Sequence, residues 1–158
     1  MSLTQLAQLA ALIAVIGNAV VYGTDVFCAI VLRPALAHVD DRALAAVSGF
    51  VHRYGDRRMP VPGVVGVAAA AASAAFAALA GHWAQAISAG VAVVLLVIWL
   101  LLYLRVSAPI NRRLTAAAQN NRVLTNVRAL QADWDRIINA RAVLQGLALA
   151  ALCLTLAA

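Results

Sequence analysis

A chain of 158 residues of which 65% are hydrophobic and 11% charged lies outside the soluble balance, where roughly 25% of residues carry charge. Lipid is the expected solvent for much of it. The net charge of +6 comes from twelve basic residues, all arginine, that fall in two clusters beside apolar segments; this is the pattern of membrane-protein loops and excludes a phosphate-tracking nucleic-acid face.

The sequence predicts an all-α, single-domain integral membrane protein spanning residues 1–158. Its four transmembrane helices are expected at about 6–32, 61–80, 84–104 and 137–157, each near the roughly 20 residues that cross about 30 Å of hydrocarbon. The opening MSLTQ lacks the positive region of a signal peptide and no convincing cleavage site follows, so the first segment is expected to be retained. Within it Asn18, Tyr22 and Asp25 stand at i, i+4 and i+7, on one face of a helix. Cys28 and Cys153 sit in apolar runs without metal or redox spacing and read as small hydrophobes.

The first connection, Arg33 to Met59, holds Arg33, Arg42, Arg53, Arg57 and Arg58 against Asp40, Asp41 and Asp56. Its middle places Leu44, Val47, Phe50, Val51 and Tyr54 at helical spacing, which predicts an amphipathic helix on or under the bundle. His52 and Asp56 form an i, i+4 pair on it, with His38 near its start. These three are candidate metal or haem ligands, but their spacing matches no metal signature, and a solvated interfacial histidine is the competing reading.

The second segment is rich in alanine, a composition that suits a helix packed closely against its neighbours; if the chain forms a homo-oligomer, this is the first surface expected to make the contact. Only Gly81, His82 and Trp83 separate it from the third, so the two form a hairpin, with His82 exposed and Trp83 an interfacial anchor. The second connection, from Arg105 to about Arg136, is again basic, whereas the 81–83 turn and both termini carry no arginine. The positive-inside rule then places both long connections in the cytoplasm and both termini outside the cytoplasmic (inner) membrane. A polar stripe follows in the fourth segment and its approach: Trp134, Arg141 and Gln145 at i, i+7 and i+11, with Ile138 between.

Intramembrane ionisable groups need partners, so the two stripes are expected to face each other. Asp25 lies roughly 10 Å from the cytoplasmic end of its segment and Arg141 roughly 6 Å from the start of its own, at 1.5 Å per residue. The two side chains should therefore meet, either as a pair that fixes helix register or as part of a site. A cavity between segments one and four, lined by Asn18, Tyr22, Trp134 and Gln145, would mark a site. No hydrolase, nucleotide-binding or zincin motif is present.

Pro109-Ile110-Asn111-Arg112-Arg113-Leu114, then Trp134, then Arg141 resembles the anthrone oxygenase-like family of small four-helix membrane proteins. Gly23, Phe27 and the run Leu32-Arg33-Pro34-Ala35-Leu36 are similar to that family's pattern as well. Members often carry histidine between the tryptophan and the arginine, where this chain has Ile138 and Asn139. The resemblance implies oxidation of an apolar aromatic or quinone-like molecule by O2, with no cofactor required. Asp25 would be the base, Arg141, Asn111 and the Trp134 indole would stabilise an enolate oxygen, and Asn18, Tyr22 and Gln145 would line the substrate cavity. Read structurally, Asn111 is instead a helix N-cap after Pro109, and Trp134 an interface anchor. Two other functions stand beside the enzyme: a non-enzymatic membrane subunit or scaffold, and a binder of haem or metal through His38 or His52.

Overall fold

Ser2 opens the first helix with a capping box: its hydroxyl accepts from the Gln5 N–H and the Gln5 side chain accepts from the Ser2 N–H. From there the computed structural model, which describes all 158 residues, is built of helices and turns alone. In chain order these are α1 (Leu3–Phe27), a π-helical turn at Cys28–Leu32, α2 (Arg33–Ala37), α3 (Asp41–Arg58), α4 (Pro60–Leu79), α5 (Trp83–Leu102), a second π-helical turn at Tyr103–Ser107, α6 (Ala108–Gln119) and α7 (Val127–Ala157). Four stretches, Leu3–Ala37, Pro60–Leu79, Trp83–Gln119 and Val127–Ala157, are long and apolar enough to cross a membrane.

Three of these outrun the segments expected from hydropathy, because alanine, leucine, arginine and glutamine sustain a helix after the apolar run has ended. Each π-helical turn sits just ahead of a proline, Pro34 or Pro109, at the second position of the next helix. Proline has no N–H for the carbonyl one turn back. A wider turn, closed by the Arg33 N–H on the Cys28 carbonyl and the Ala108 N–H on the Tyr103 carbonyl, carries each helix past that gap without a break.

The long helices form a ring in the order α1, α4, α5, α7, each antiparallel to its neighbours. Small residues let α1 and α4 touch: a Cβ at Gly17 would lie 2.8 Å from the Pro62 carbonyl oxygen, and one at Gly66 would lie 2.7 Å from Asn18 Oδ1. The core of this part is Ala14, Ala70, Ala92, Leu96, Ala148 and Leu152. Ser73, fully buried, donates to the Ala7 carbonyl across the α1–α4 contact at 2.9 Å. At the far end Gly81, with φ +77°, turns α4 into α5, and His82 Nε2 lies 3.1 Å from Thr4 Oγ1.

α3 and α6 pair at the arginine-rich end. A Cβ on Gly49 would stand 2.5 Å from the Leu114 carbonyl oxygen, and Thr115 donates to the Gly49 carbonyl at 3.1 Å. The face of α3 turned inward is Leu44, Ala45, Ser48, Gly49 and His52. Of the apolar stripe Leu44 is buried, while Val47, Phe50, Val51 and Tyr54 are exposed. Close approach to α6 needs small side chains, so the bulky apolar ones turn outward. Arg128 anchors the start of α7, reaching Asp41 at 2.7 Å, the Leu36 carbonyl at 3.2 Å and the Val39 carbonyl. Beneath lies a second core of larger residues, including Leu36, Leu44, Leu114, Val127, Trp134 and Ile138.

Candidate functional site

Between these two cores the bundle opens into a cavity of about 530 Å³. Its walls come from α1 (Asp25, Cys28), α3 (His52, Asp56), the first half of α4, α5 with its π-helical turn (Trp99, Tyr103), α6 (Asn111) and α7 (Trp134, Arg141). The exposed side chains Val51, Val64, Leu100 and Leu104 are also part of its lining, which sets the mouth between the first half of α4 and the last turns of α5. Of the four residues whose cavity would have marked a site, Asn18, Tyr22, Trp134 and Gln145, only Trp134 lines this one.

Asp25 and Arg141 meet as the stripes require. Arg141 Nη2 donates to Asp25 Oδ1 at 2.7 Å, and the residues are 6% (Arg141) and 3% (Asp25) exposed, so the pair is out of water. Trp99 Nε1 donates to the other carboxylate oxygen at 2.9 Å, and Arg141 Nη1 donates to the Ser107 hydroxyl at 2.8 Å. Three rings surround the guanidinium, with Cζ 5.6 Å from the centroid of Trp99, 5.5 Å from Tyr103 and 5.9 Å from Trp134, all within cation–π range. The charge on Arg141 is thus met by a carboxylate, a hydroxyl and aromatic faces, drawn from several separate turns of chain.

A second carboxylate stands nearer the arginine-rich end. Asp56 Oδ1 accepts from the Tyr103 hydroxyl at 2.8 Å and from Asn111 Nδ2 at 2.9 Å, joining α3 to α5 and α6. Asn111 is accordingly no N-cap: the helix runs unbroken through it, and its amide points at a carboxylate. Trp134 is 5% exposed, against His52 at a ring separation of 5.2 Å, which removes it from the role of interface anchor.

His52 is the residue that sequence reasoning placed wrongly. It is 7% exposed rather than solvated. Burial pushes its pKa from 6.5 down to about 4, against the opposing pull of Asp56 and with a further push from Arg141, so the imidazole is neutral at pH 7. Trp99, Tyr103 and Ser107 were also missed, although their i, i+4, i+8 spacing marks one helical face.

The remaining expected site residues stand apart. Asn18 is buried against Gly66, and Tyr22 lies against Gly146, where a Cβ would be 3.2 Å from Tyr22 Cε2. Gln145 is buried with neither amide atom hydrogen-bonded. None of the three lines the cavity. His38 is exposed at the end of α2, and no three His, Cys, Asp or Glu side chains gather as a metal site would require. Cys28 is buried in the cavity wall, whereas Cys153, read as a packed hydrophobe, is exposed on α7.

Four polar atoms of the cavity residues are buried and lack a hydrogen-bond partner in the protein: His52 Nε2, Trp134 Nε1, Arg141 Nε and Asn111 Oδ1. Buried polar atoms cost free energy when unpaired, on the order of 1–3 kcal/mol each, and Asn18, Gln85 and Gln145 carry such atoms outside the cavity as well. Of the cavity atoms, those of the indole and guanidinium N–H groups are donors only; Asn111 Oδ1 is an acceptor, and a neutral imidazole nitrogen serves as either. An apolar chamber carrying a few convergent polar groups has the character of a small-molecule site, and its volume is in the usual range for one, roughly 300–1,000 Å³. Compared with protein-family models, with curated proteins and with solved structures, the chain gives no match, so the reading of this site rests on its own geometry.

Proposed function

We propose that the protein is a membrane-embedded oxidoreductase that takes an apolar aromatic or quinone-like molecule from the bilayer and oxidises it with O2. In this reading α1, α4, α5 and α7 cross the cytoplasmic membrane, the arginine-rich α3 and α6 lie on its cytoplasmic side, and both termini lie outside. The observation that carries it is the apolar cavity, flanked by exposed apolar side chains, whose lining includes His52, Trp134, Arg141 and Asn111, each with a buried polar atom unpaired in the protein. Resemblance of the Pro109–Leu114, Trp134 and Arg141 pattern to the anthrone oxygenase-like family supplies the reaction class.

The proposed roles differ from the sequence-based expectation in the base, in Asn111, whose amide is held by Asp56, and in Asn18, Tyr22 and Gln145, which do not line the cavity. Both oxygens of Asp25 already accept hydrogen bonds, from Arg141 and Trp99, so Asp25 positions Arg141 instead of acting as the base. His52, neutral and unpartnered at Nε2, removes a proton from the activated methylene of the substrate. Its ring packs beside Trp134, with centroids 5.2 Å apart. The enolate oxygen accepts from the Trp134 and Arg141 N–H groups. The carbanion transfers an electron to O2 and combines with it, and His52 returns its proton to the peroxide anion. Loss of water then leaves a ketone at the former methylene carbon. One methylene and one O2 are consumed, one carbonyl and one water are formed, and each product carries one of the two oxygen atoms.

The test is turnover of anthrone by the detergent-purified full chain, followed by O2 uptake and by anthraquinone absorbance. Wild type should exceed the protein-free rate, and His52→Gln should lower kcat by about 10²–10⁴-fold, the usual contribution of a general base. A wild-type rate equal to the protein-free rate, with no quenching of tryptophan fluorescence by anthrone, would overturn the reading. One observation favours a second reading, a non-enzymatic subunit: the Asp25–Arg141–Ser107–Trp99 network ties α1, α5 and α7 together whatever the cavity holds. Under that reading Arg141→Ala impairs assembly, and anthrone neither binds nor turns over.

A further inference from the structure

Beside the cavity, across the paired helices α3 and α6, lies a second hollow of about 220 Å³ with the opposite character. Arg53 and Arg57, one turn apart on α3, line it together with Arg112 of α6; Asp56, Thr115 and Gln119 complete its polar wall. The four ion pairs of the chain involve Arg33, Arg128, Arg136 and Arg141, so none of these three guanidinium groups has a carboxylate within 4.0 Å. Arg53 Nε is buried without a hydrogen-bond partner. Asp56, the one acid in the wall, accepts from Tyr103 and Asn111 through Oδ1.

We propose that this hollow is a phosphate-binding site, formed by Arg53, Arg57 and Arg112. Three guanidinium groups against one carboxylate leave a net positive hollow, and guanidinium forks match the paired oxygens of a phosphate better than those of any neutral headgroup. Thr115 Oγ1 gives its proton to the Gly49 carbonyl, so selectivity falls to the arginines and the Gln119 amide. The hollow also sits at a defined depth. α4 begins at Pro60, directly after Arg57 and Arg58, so these arginines are level with the start of an apolar helix. If the bundle spans the bilayer as proposed above, that is the headgroup level, and a phospholipid phosphate is the natural occupant; the phosphate chemistry itself holds without that orientation. Because Asp56 lines both spaces, a bound phosphate sits at the edge of the aromatic cavity.

Arginines beside apolar segments also follow from the positive-inside bias alone, so the test compares a built site with diffuse charge. Native mass spectrometry of the full chain in detergent is run with phosphatidylglycerol, and ³¹P line broadening with inorganic phosphate alone. Wild type should hold one phosphate-bearing molecule, and Arg53→Gln/Arg112→Gln should weaken it by about tenfold per arginine, as for loss of a charged hydrogen bond. Arg42→Gln/Arg122→Gln, which removes the same charge from exposed positions outside the hollow, should leave binding unchanged. Retention of phosphatidylglycerol without binding of inorganic phosphate identifies a lipid source, and binding of inorganic phosphate a soluble one. Binding of neither probe, or equal loss in the two double variants, overturns the proposal whether or not anthrone is oxidised.

Discussion

The two halves of the bundle solve different packing problems with the same four helices. In the half nearer Gly81, alanine and glycine bring backbones together, as where Gly17 faces the Pro62 carbonyl, and buried polar groups such as Ser73 and Thr155 bond to a nearby backbone carbonyl. In the arginine-rich half, Trp99, Tyr103 and Trp134 stand between the helices, two π-helical turns interrupt the regular ladder, and a cavity opens. Contact between packed helices depends on van der Waals fit. Small residues achieve that fit with each other; large aromatics leave room that a ligand can fill. The first half is close-packed, and the second holds the cavity.

The sharpest way to break this division is at the charged pair where the halves meet. Arg141→Ala leaves Asp25 buried without its counter-charge and should cost about 3–5 kcal/mol, read by unfolding in detergent; the double variant Asp25→Leu/Arg141→Met should recover most of that loss. An equal loss in both variants would show that shape, not charge, is what the pair contributes.

The next effect belongs to His52 and depends on pH. Its folded pKa of about 4 lies below the ordinary 6.5, so above pH 6.5 the imidazole is neutral in folded and unfolded chains alike and stability is at its full value. As pH falls from 6.5 to about 4 the unfolded chain takes up a proton that the folded chain refuses. Stability should fall across that window by about 3 kcal/mol, at about 1.4 kcal/mol per pH unit, and then level off with respect to this group. His52→Gln should remove that slope while leaving the close-packed half untouched. An unchanged slope would show that His52 is solvated after all.

Smaller effects separate tight from open glycines. Gly17→Ala pushes a methyl against the Pro62 carbonyl and should cost about 1–3 kcal/mol, with anthrone quenching of tryptophan fluorescence unaltered. Gly23→Ala meets nothing within 4 Å in the same helix and should stabilise it by about 0.5–1 kcal/mol. If Gly17→Ala alters the quenching while leaving stability unchanged, the separation of the halves fails.

How much of this was legible beforehand follows from what a helical stripe encodes. Spacing places Asn18 and Asp25 on one face, and both are buried. It also put Asp25 opposite Arg141 at matching depth, because a buried charge admits few alternatives. Spacing does not tell which neighbour a given face meets, so Asn18, Tyr22 and Gln145 were grouped with Asp25 and Arg141 though they lie outside the cavity. On α3 the spacing marks the apolar residues without naming the face that meets a neighbour: α6 approaches the face carrying Ser48 and Gly49, and Val47, Phe50 and Val51 stay exposed.

The sequence by itself determined the helical class, the four long apolar stretches and the need of Asp25 and Arg141 for each other, since each follows from composition, period and the cost of a bare charge in lipid. Only the tertiary structure decided that His52 is buried beside Trp134, that Asp56 rather than solvent receives Asn111, and that the cavity is lined by Trp99 and Tyr103 together with Asp25 and Arg141. These depend on how each helix is rotated and how closely it approaches its neighbours, and that is set by the shapes of side chains far apart in the chain.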